Sequence, residues 1–304
     1  MELSAVDKIW MDGELVDWDK AQVHVLTHAL HYGTAVFEGL RCYETPEGSA
    51  VFRLTDHMLR FERSARMLFM DLGYTVEELV EAVKETIRVN KLASCYIRPL
   101  AFRGYGVMGV DPMPAPVQVV IAVWPWDTYM GEDALVKGVD VGVSSWRKHG
   151  INSLPPAIKA SANYLNSGLA RIEANQHGYN EAVMLNEEGK VCEGTGENLF
   201  VVREGVISTP PVSDGILQGI TRDSIMVIAD ALEYPVIEES LVRTDLYVAD
   251  EMFMTGSAAE VVPVRSVDGR VIGDAGPITL DLQRTFFRVV HGEESDFEDW
   301  LERV

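Results

Sequence analysis

Ser153-Leu-Pro-Pro-Ala-Ile-Lys159-Ala-Ser-Ala-Asn-Tyr164-Leu-Asn-Ser-Gly168-Leu169 sets one lysine between Ile158 and Ala160, on the approach to a helix that the spacing predicts over 162–176. Eight of the 26 basic residues are lysines, and most of the others lie in polar runs such as Asp19-Lys20, Val89-Asn-Lys91 and Glu187-Glu-Gly-Lys190. Lys159 instead sits among small and apolar residues. Removing an ammonium from water favours its neutral form, so a lysine in this setting can become a nucleophile toward a carbonyl compound. A lysine that only extends its charged head to water at a helix start leaves the same trace in a sequence.

Outward from this stretch, the first 126 residues read as a small α/β sandwich. Lys8-Ile-Trp-Met-Asp12-Gly13-Glu-Leu-Val16 predicts a hairpin, because Asp-Gly fits the tight turn between alternating strands. Thr55 is placed to cap a helix reaching about Leu72, with apolar positions at Met58, Leu59, Phe61, Ala65, Leu68 and Phe69. Thr75-Val-Glu-Glu78 is a capping-box pattern for a second helix to about Asn90. Strands are expected at 95–102 and 117–124. Pro125-Trp-Asp-Thr-Tyr-Met-Gly131 combines breakers with polar residues, so 127–135 reads as a linker.

Residues 136–304 read as a larger, β-rich domain with a few helices rather than regular βαβ units. Strands are expected at 139–145, 181–185, 199–202, 206–208, 236–238 and 252–254, with a helix over 225–232. Glu293-Glu-Ser-Asp-Phe-Glu-Asp-Trp-Leu-Glu302 reads as a solvated amphipathic end. The fold class is therefore α+β with two domains.

The chain has 304 residues and a net charge of −21. That charge repels nucleic-acid phosphates and anionic membranes, which argues against either as the main partner. It fits a salty cytoplasm or simple solubility. Apolar runs stay well short of a membrane span, and Met1-Glu-Leu-Ser-Ala-Val-Asp-Lys8 lacks the basic-then-apolar pattern of a signal peptide, so the expected location is the cytoplasm. Cys42, Cys95 and Cys192 are odd in number and far apart, against a disulfide framework or a zinc cage.

Several patterns bear on chemistry. Gly104-Tyr-Gly106-Val-Met-Gly109 is a literal G-x-G-x-x-G, but Val110-Asp-Pro-Met-Pro-Ala-Pro116 cannot open the helix a dinucleotide site needs, so a loop is expected. His24, His28 and His31 have the spacing of one helical face; with no acidic residue among them, structural histidines are expected and no metal. Glu193-Gly-Thr-Gly196-Glu-Asn198 puts a carboxylate beside glycines that let a flat ligand approach, or else is a turn with a surface Glu. Such a carboxylate can keep a pyridine nitrogen protonated. Leu217-Gln-Gly219-Ile220-Thr221 opens a helix whose N-terminus suits a phosphate, or is an ordinary Thr cap. Met254-Thr-Gly256-Ser257-Ala258-Ala259 offers further donors, or tight packing. A lysine, a ring-facing carboxylate and two donor-rich turns together describe a site for pyridoxal 5′-phosphate.

With these stretches stand His28-Ala-Leu-His-Tyr32-Gly-Thr-Ala-Val-Phe37-Glu-Gly39-Leu-Arg41, His57-Met-Leu-Arg60, Tyr96-Ile-Arg98-Pro-Leu, Gly219-Ile-Thr-Arg-Asp and Gly256-Ser-Ala-Ala-Glu. In this order, end to end, the set resembles the branched-chain amino-acid aminotransferases of the fold-type IV group of pyridoxal phosphate enzymes. The resemblance implies a small α/β domain and a larger pseudo-barrel domain. It implies that Lys159 bonds the cofactor and later carries the proton between substrate Cα and cofactor C4′, that Glu193 faces the ring nitrogen, and that Tyr164 bonds the phenolic oxygen. Arg60, Ile220, Thr221 and Ser257 would hold the phosphate, with Gly196, Asn198, Leu217, Gly219 and Gly256 completing the cofactor site.

For the substrate, the resemblance implies a pocket of Phe37, Gly39, Arg41, Tyr96, Arg98, Met108, Tyr129, Ser257 and Ala258. Tyr32 and Val110 would reach in from a partner subunit, so the expected assembly is a homo-oligomer, at least a dimer with shared sites, with tetramer and hexamer left open. The implied reaction moves the amino group of L-leucine, L-isoleucine or L-valine to 2-oxoglutarate in ping-pong order, giving 2-oxo acids and glutamate. The alternatives are a D-amino-acid aminotransferase or an aminodeoxychorismate lyase on the same fold, and, from another class, a non-catalytic acidic binding protein.

Overall fold

The computed structural model describes residues 3–126 and 131–304. In chain order its elements are β1 (Lys8–Met11), β2 (Glu14–Asp17), α1 (His28–Tyr32), β3 (Ala35–Phe37), β4 (Leu40–Thr45), β5 (Gly48–Phe52), α2 (Leu54–Met67), α3 (Val76–Val89), β6 (Cys95–Arg103) and β7 (Val117–Trp124). Then come α4 (Glu132–Lys137), β8 (Val139–Val143), α5 (Asn163–Gln176), β9 (Glu181–Leu185), β10 (Val191–Glu193), β11 (Asn198–Arg203), β12 (Val206–Thr209) and α6 (Ile220–Ala231). The chain continues with β13 (Val236–Glu238), α7 (Arg243–Tyr247), β14 (Glu251–Gly256), β15 (Glu260–Val267), β16 (Arg270–Val271), α8 (Pro277–Val290) and β17 (Leu301–Arg303).

The chain divides into two compact units. One comprises Met1–Asp127, Ile158–Ala162 and Val289–Val304; the other, Thr128–Ala157 and Asn163–Arg288. The lysine strip and the C-terminal strand thus group with the first unit, where a single cut near residue 127 puts them in the second. Part of the expected 127–135 linker lies outside the described residues, and α4 begins within its end.

Among the described residues, the first unit holds an antiparallel sheet of order β17-β5-β4-β6-β7-β1-β2, with β3 on β6. Its hairpin turns at Asp12 and Gly13, at φ 48° and 93°, the two positive values that such a two-residue turn requires. One face packs α2 and α3: Met58, Phe61 and Ala65 meet Leu79, Val83 and Ile87 over Leu40, Cys42, Ile97 and Val119. The Thr75–Glu78 capping box forms as the sequence predicts. At α2, Thr55 is not the cap. The helix starts at Leu54 behind Arg53 in a left-handed conformation, and the Thr55 N–H and hydroxyl are taken by the Glu302 carboxylate instead. The expected solvated tail is exposed or half-buried through Trp300, but its end enters β17, paired with β5 through Leu301–Phe52 and Arg303–Ala50.

The second unit is built on a mixed sheet of order β10-β9-β8-β15-β14-β11-β12-β13, with β16 on β15. Its core joins Val141, Val183, Leu199, Met252, Met254, Val262 and Val264. Ala170 and Ala174 bring α5 close to β9 through Ala182 and Met184. The helix expected over 225–232 begins earlier, at Ile220, so Thr221 lies inside its first turn and Gly219 is the N-cap.

Candidate active site

In the first unit Lys159 is held by backbone pairing. Phe37 N–H donates to the Lys159 carbonyl at 3.0 Å, Ser161 N–H to Ala35 O at 2.9 Å, and Val36 faces Ala160 in a bridge. The lysine's own N–H donates to Ser64 Oγ, one turn beyond Arg60 on α2. Ile158 and Ala160 enter the core with Ile97. Alternation along an extended chain therefore turns Lys159 to the opposite face, with Phe37, Arg41, Tyr96 and Arg98. Lys159 Nζ lies 5.1 Å from the Phe37 ring centre, and the Arg98 guanidinium 4.7 Å from the same ring.

Arg41 opposes Tyr96 in the β4–β6 register. Tyr96 is backed by Trp124 and Trp126 at 5.2 and 4.7 Å. Gly39 is glycine for steric reasons: a Cβ there would stand 2.1 Å from the Tyr96 hydroxyl. Three cations thus gather on one sheet face of a protein carrying 47 acidic residues, a setting for carboxylate ligands. Arg98 Nε is buried with no hydrogen-bond partner among the described residues, a donor pointing to a ligand.

Arg60 is buried and fixed by a residue that sequence reading did not assign. Its Nε and Nη2 donate to Glu38 Oε1 and Oε2 at 2.7 and 2.8 Å, and His57 Nδ1 donates to Oε2 at 2.8 Å. Burial alone would raise the Glu38 carboxyl, but the Arg60 guanidinium, aided by His57, holds it far below the usual carboxylate range. Burial, together with the charges of Arg60 and Lys159, lowers His57 against the pull of Glu38.

In the second unit Glu193, at the end of β10, is not the surface residue of a turn but buried. Lys148 Nζ meets its Oε1 at 2.5 Å; its Oε2 accepts from Leu217 N–H at 2.9 Å and Asn198 Nδ2 at 3.2 Å. Asn198 also donates to Leu217 O. A Cβ on Gly219 would fall 1.9 Å from Asn198 Oδ1, so the start of α6 can approach only as glycine. Thr221 is buried in that first turn. Thr255 pairs with Asn198 across β11 and β14, and its buried Oγ1 has no hydrogen-bond partner among the described residues. Gly256 closes β14 against Gly196 O, followed by half-buried Ser257 and Ala258.

Tyr164 is the second residue of α5 and half-buried. Tyr32, Met108 and Val110 are exposed. Tyr129 lies outside the described residues. Only His28 and His31 are helical, and each expected histidine has a structural bond: His24 Nδ1 accepts from Leu26 N–H, His28 Nε2 donates to Gly109 O and His31 Nε2 to Val25 O. Residues 104–110 form bends with no helix after them.

A family model described as amino-transferase class IV matches residues 35–267. The chain belongs to the class IV aminotransferases. It is 48% identical over 307 residues to the branched-chain-amino-acid aminotransferase of Salmonella typhimurium, covering 100% of this chain and 99% of that one. To the Pseudomonas aeruginosa enzyme of the same name it is 46% identical, over 96% and 95% of the two chains. Its fold matches the crystal structure of the Escherichia coli branched-chain aminotransferase with a TM-score of 0.96 at 48% identity, over 98% and 99%. A T.th. enzyme of that name, solved with pyridoxamine 5′-phosphate, also gives 0.96 at 47%, over 99% of each chain.

As a class IV aminotransferase, the protein has a donor set that suits a phosphorylated pyridine: a buried carboxylate for a ring nitrogen, an orphaned hydroxyl on the residue paired with Asn198, and a glycine-started helix for a phosphate. Three residues escape a reading of the sequence. Glu38 and His57 lie inside quoted motifs, and His57 sits one turn before Arg60 on one helical face, a usable signal. Lys148, in Trp146-Arg-Lys-His149, gives none; yet it is buried, whereas Lys159 is only half-buried.

Proposed function

We infer that this aminotransferase transfers the amino group of L-leucine, L-isoleucine or L-valine to 2-oxoglutarate, in ping-pong order, through pyridoxal 5′-phosphate. The observation that carries the reading is the placement of Lys159. Its backbone is pinned to β3 and to the helix of Arg60, and its amine lies against Phe37 on the sheet face that carries Arg41, Tyr96 and Arg98.

When bound, the cofactor supplies a carbonyl for the amine and an electron-withdrawing ring. Lys159 Nζ then serves as the base that takes the proton from substrate Cα and returns it. Glu193 stabilises positive charge at the ring nitrogen, and Tyr164 donates to the phenolic oxygen. Arg60, the first turn of α6 at Ile220 and Thr221, and Ser257 bind the phosphate. Phe37 and the Tyr96 ring wall the apolar side chain. Arg98 and Arg41 bind carboxylates, so one pocket accepts a branched side chain in one half-reaction and the glutamate γ-carboxylate in the other.

A second copy is part of this reading. Val25, Leu30 and Tyr32 around α1, with Met108 and Val110, are exposed, and hydrogen bonds from His28 to Gly104 O and Gly109 O tie α1 to that loop. No helix among the described residues is long and apolar enough to cross a membrane, and a cytoplasmic setting belongs to the same proposal.

The test is a visible spectrum of the purified protein titrated separately with L-leucine, D-alanine and L-glutamate, repeated on Lys159→Ala. L-leucine and L-glutamate should change the wild-type spectrum and D-alanine should not; the variant should show no turnover. Retained steady-state transamination in Lys159→Ala would overturn the assignment.

A further inference from the structure

Lys148 reaches Glu193 from a fixed base. Its N–H donates to Leu185 O at the end of β9, and its side chain and that of Glu193 are each 8% exposed. Taking two charges out of water is costly, and well-packed apolar residues of like volume are often as stable or more so. Packing therefore does not explain the pair; a requirement on the charge state of Glu193 does.

We propose that Lys148 is a positioning residue for the transamination site: its ion pair keeps Glu193 a carboxylate, so that the proton shared by Glu193 and the cofactor's ring nitrogen resides on the ring. The inference rests on the assignment of Glu193 to that nitrogen. A proton on Glu193 would leave the Lys148 ammonium facing a neutral acid with its attraction lost; a proton moved off Glu193 retains that attraction. Leu217 N–H and Asn198 Nδ2 act in the same sense, since both donate to Oε2 and favour the ionised form.

The neighbouring groups do not replace the ammonium. Burial, and then the charge of Lys148 itself, lowers His149, so this histidine stays neutral. Burial pushes the Cys192 thiol up to about 12. Asp214, buried nearby, is of like sign to Glu193 and has its own cation in Lys190, 3.8 Å away. Burial opposes the Lys148 ammonium, but the adjacent carboxylate outweighs it and raises the lysine above its ordinary value.

The experiment reconstitutes wild type, Lys148→Met, Lys148→Gln and Lys148→Arg with pyridoxal phosphate carrying 15N in the ring, and reads the ring-nitrogen chemical shift beside kcat for L-leucine. Wild type and Lys148→Arg should give a protonated ring. Lys148→Met and Lys148→Gln should move toward the unprotonated value, with kcat lower by about 10²-fold, the scale for losing a preorganised charge. A ring that stays protonated in either neutral variant overturns the role of Lys148 while leaving that of Glu193 intact. An unprotonated ring in wild type overturns the assignment of Glu193, and the inference with it.

Discussion

Arg60 grips Glu38 through two parallel hydrogen bonds, and Glu38 is wholly buried. The fork fixes the guanidinium plane, leaving Arg60 rigid for an anion. Glu38→Gln should cost about 3–5 kcal/mol, the scale for breaking a buried pair by losing one partner, and should weaken cofactor binding. Urea unfolding and a pyridoxal phosphate titration check both. An unchanged urea midpoint would contradict the account.

Acid should undo the same cluster. Glu38 and His57 both have lowered values in the folded state, so each binds its proton more tightly when unfolded. The stability they provide is full above their ordinary values, 4.5 and 6.5, and is lost as pH falls through the lowered folded ones. Unfolding free energy should therefore decline first below pH 6.5 and further below 4.5. The gap between wild type and Glu38→Gln should narrow over the second interval; a gap constant with pH refutes the assignment.

Gly219→Ala forces a methyl onto Asn198 Oδ1. Displacing Asn198 loosens its bonds to Glu193 and Leu217, at about 1–3 kcal/mol for overpacking. Cofactor affinity should fall as well. Gly168→Ala is the control: its Cβ meets nothing within 4 Å inside α5, so it should gain up to about 1 kcal/mol. Equal melting temperatures for the two variants would count against the steric argument.

Val110→Glu places a charge at a residue that is 87% exposed, beside the apolar surface around α1. If a second copy covers that surface, sedimentation should show a smaller species than wild type, with the secondary structure unchanged. An assembly of undiminished size removes Val110 from the interface.

Deleting Leu301–Val304 strips β17 from β5 and releases the Thr55 N–H from Glu302. Leu301 is 7% exposed, and its burial alone is worth about 1.5–3 kcal/mol. The melting temperature should drop by several degrees. A tail that only rests in solvent predicts no change.

What can be read from the chain is what short range decides. Asp12-Gly13 needs only its own backbone to make a turn, and Thr75 meets Glu78 three residues on, so the hairpin and the α3 cap are legible. The lysine and the glycine turns are legible as residue types in order. Thr55 misleads because its partner, Glu302, is far along the chain, and the end of the tail misleads because the edge of β5 is invisible until the sheet exists. Lys148 escapes for the same reason: what makes it unusual is Glu193, which the fold alone brings to it.

The pairing of β3 with the lysine strip, and of β5 with β17, bears on how the protein is made. A chain that leaves the ribosome amino end first cannot complete its first sheet until Ile158–Ala162 and then Leu301–Arg303 have emerged. Until then β3 and β5 each present an unpaired edge, open to other chains. The sheet that β3 and β5 begin thus stays unfinished while everything between Phe52 and Leu301 is synthesised, and its exposure to misassembly lasts as long.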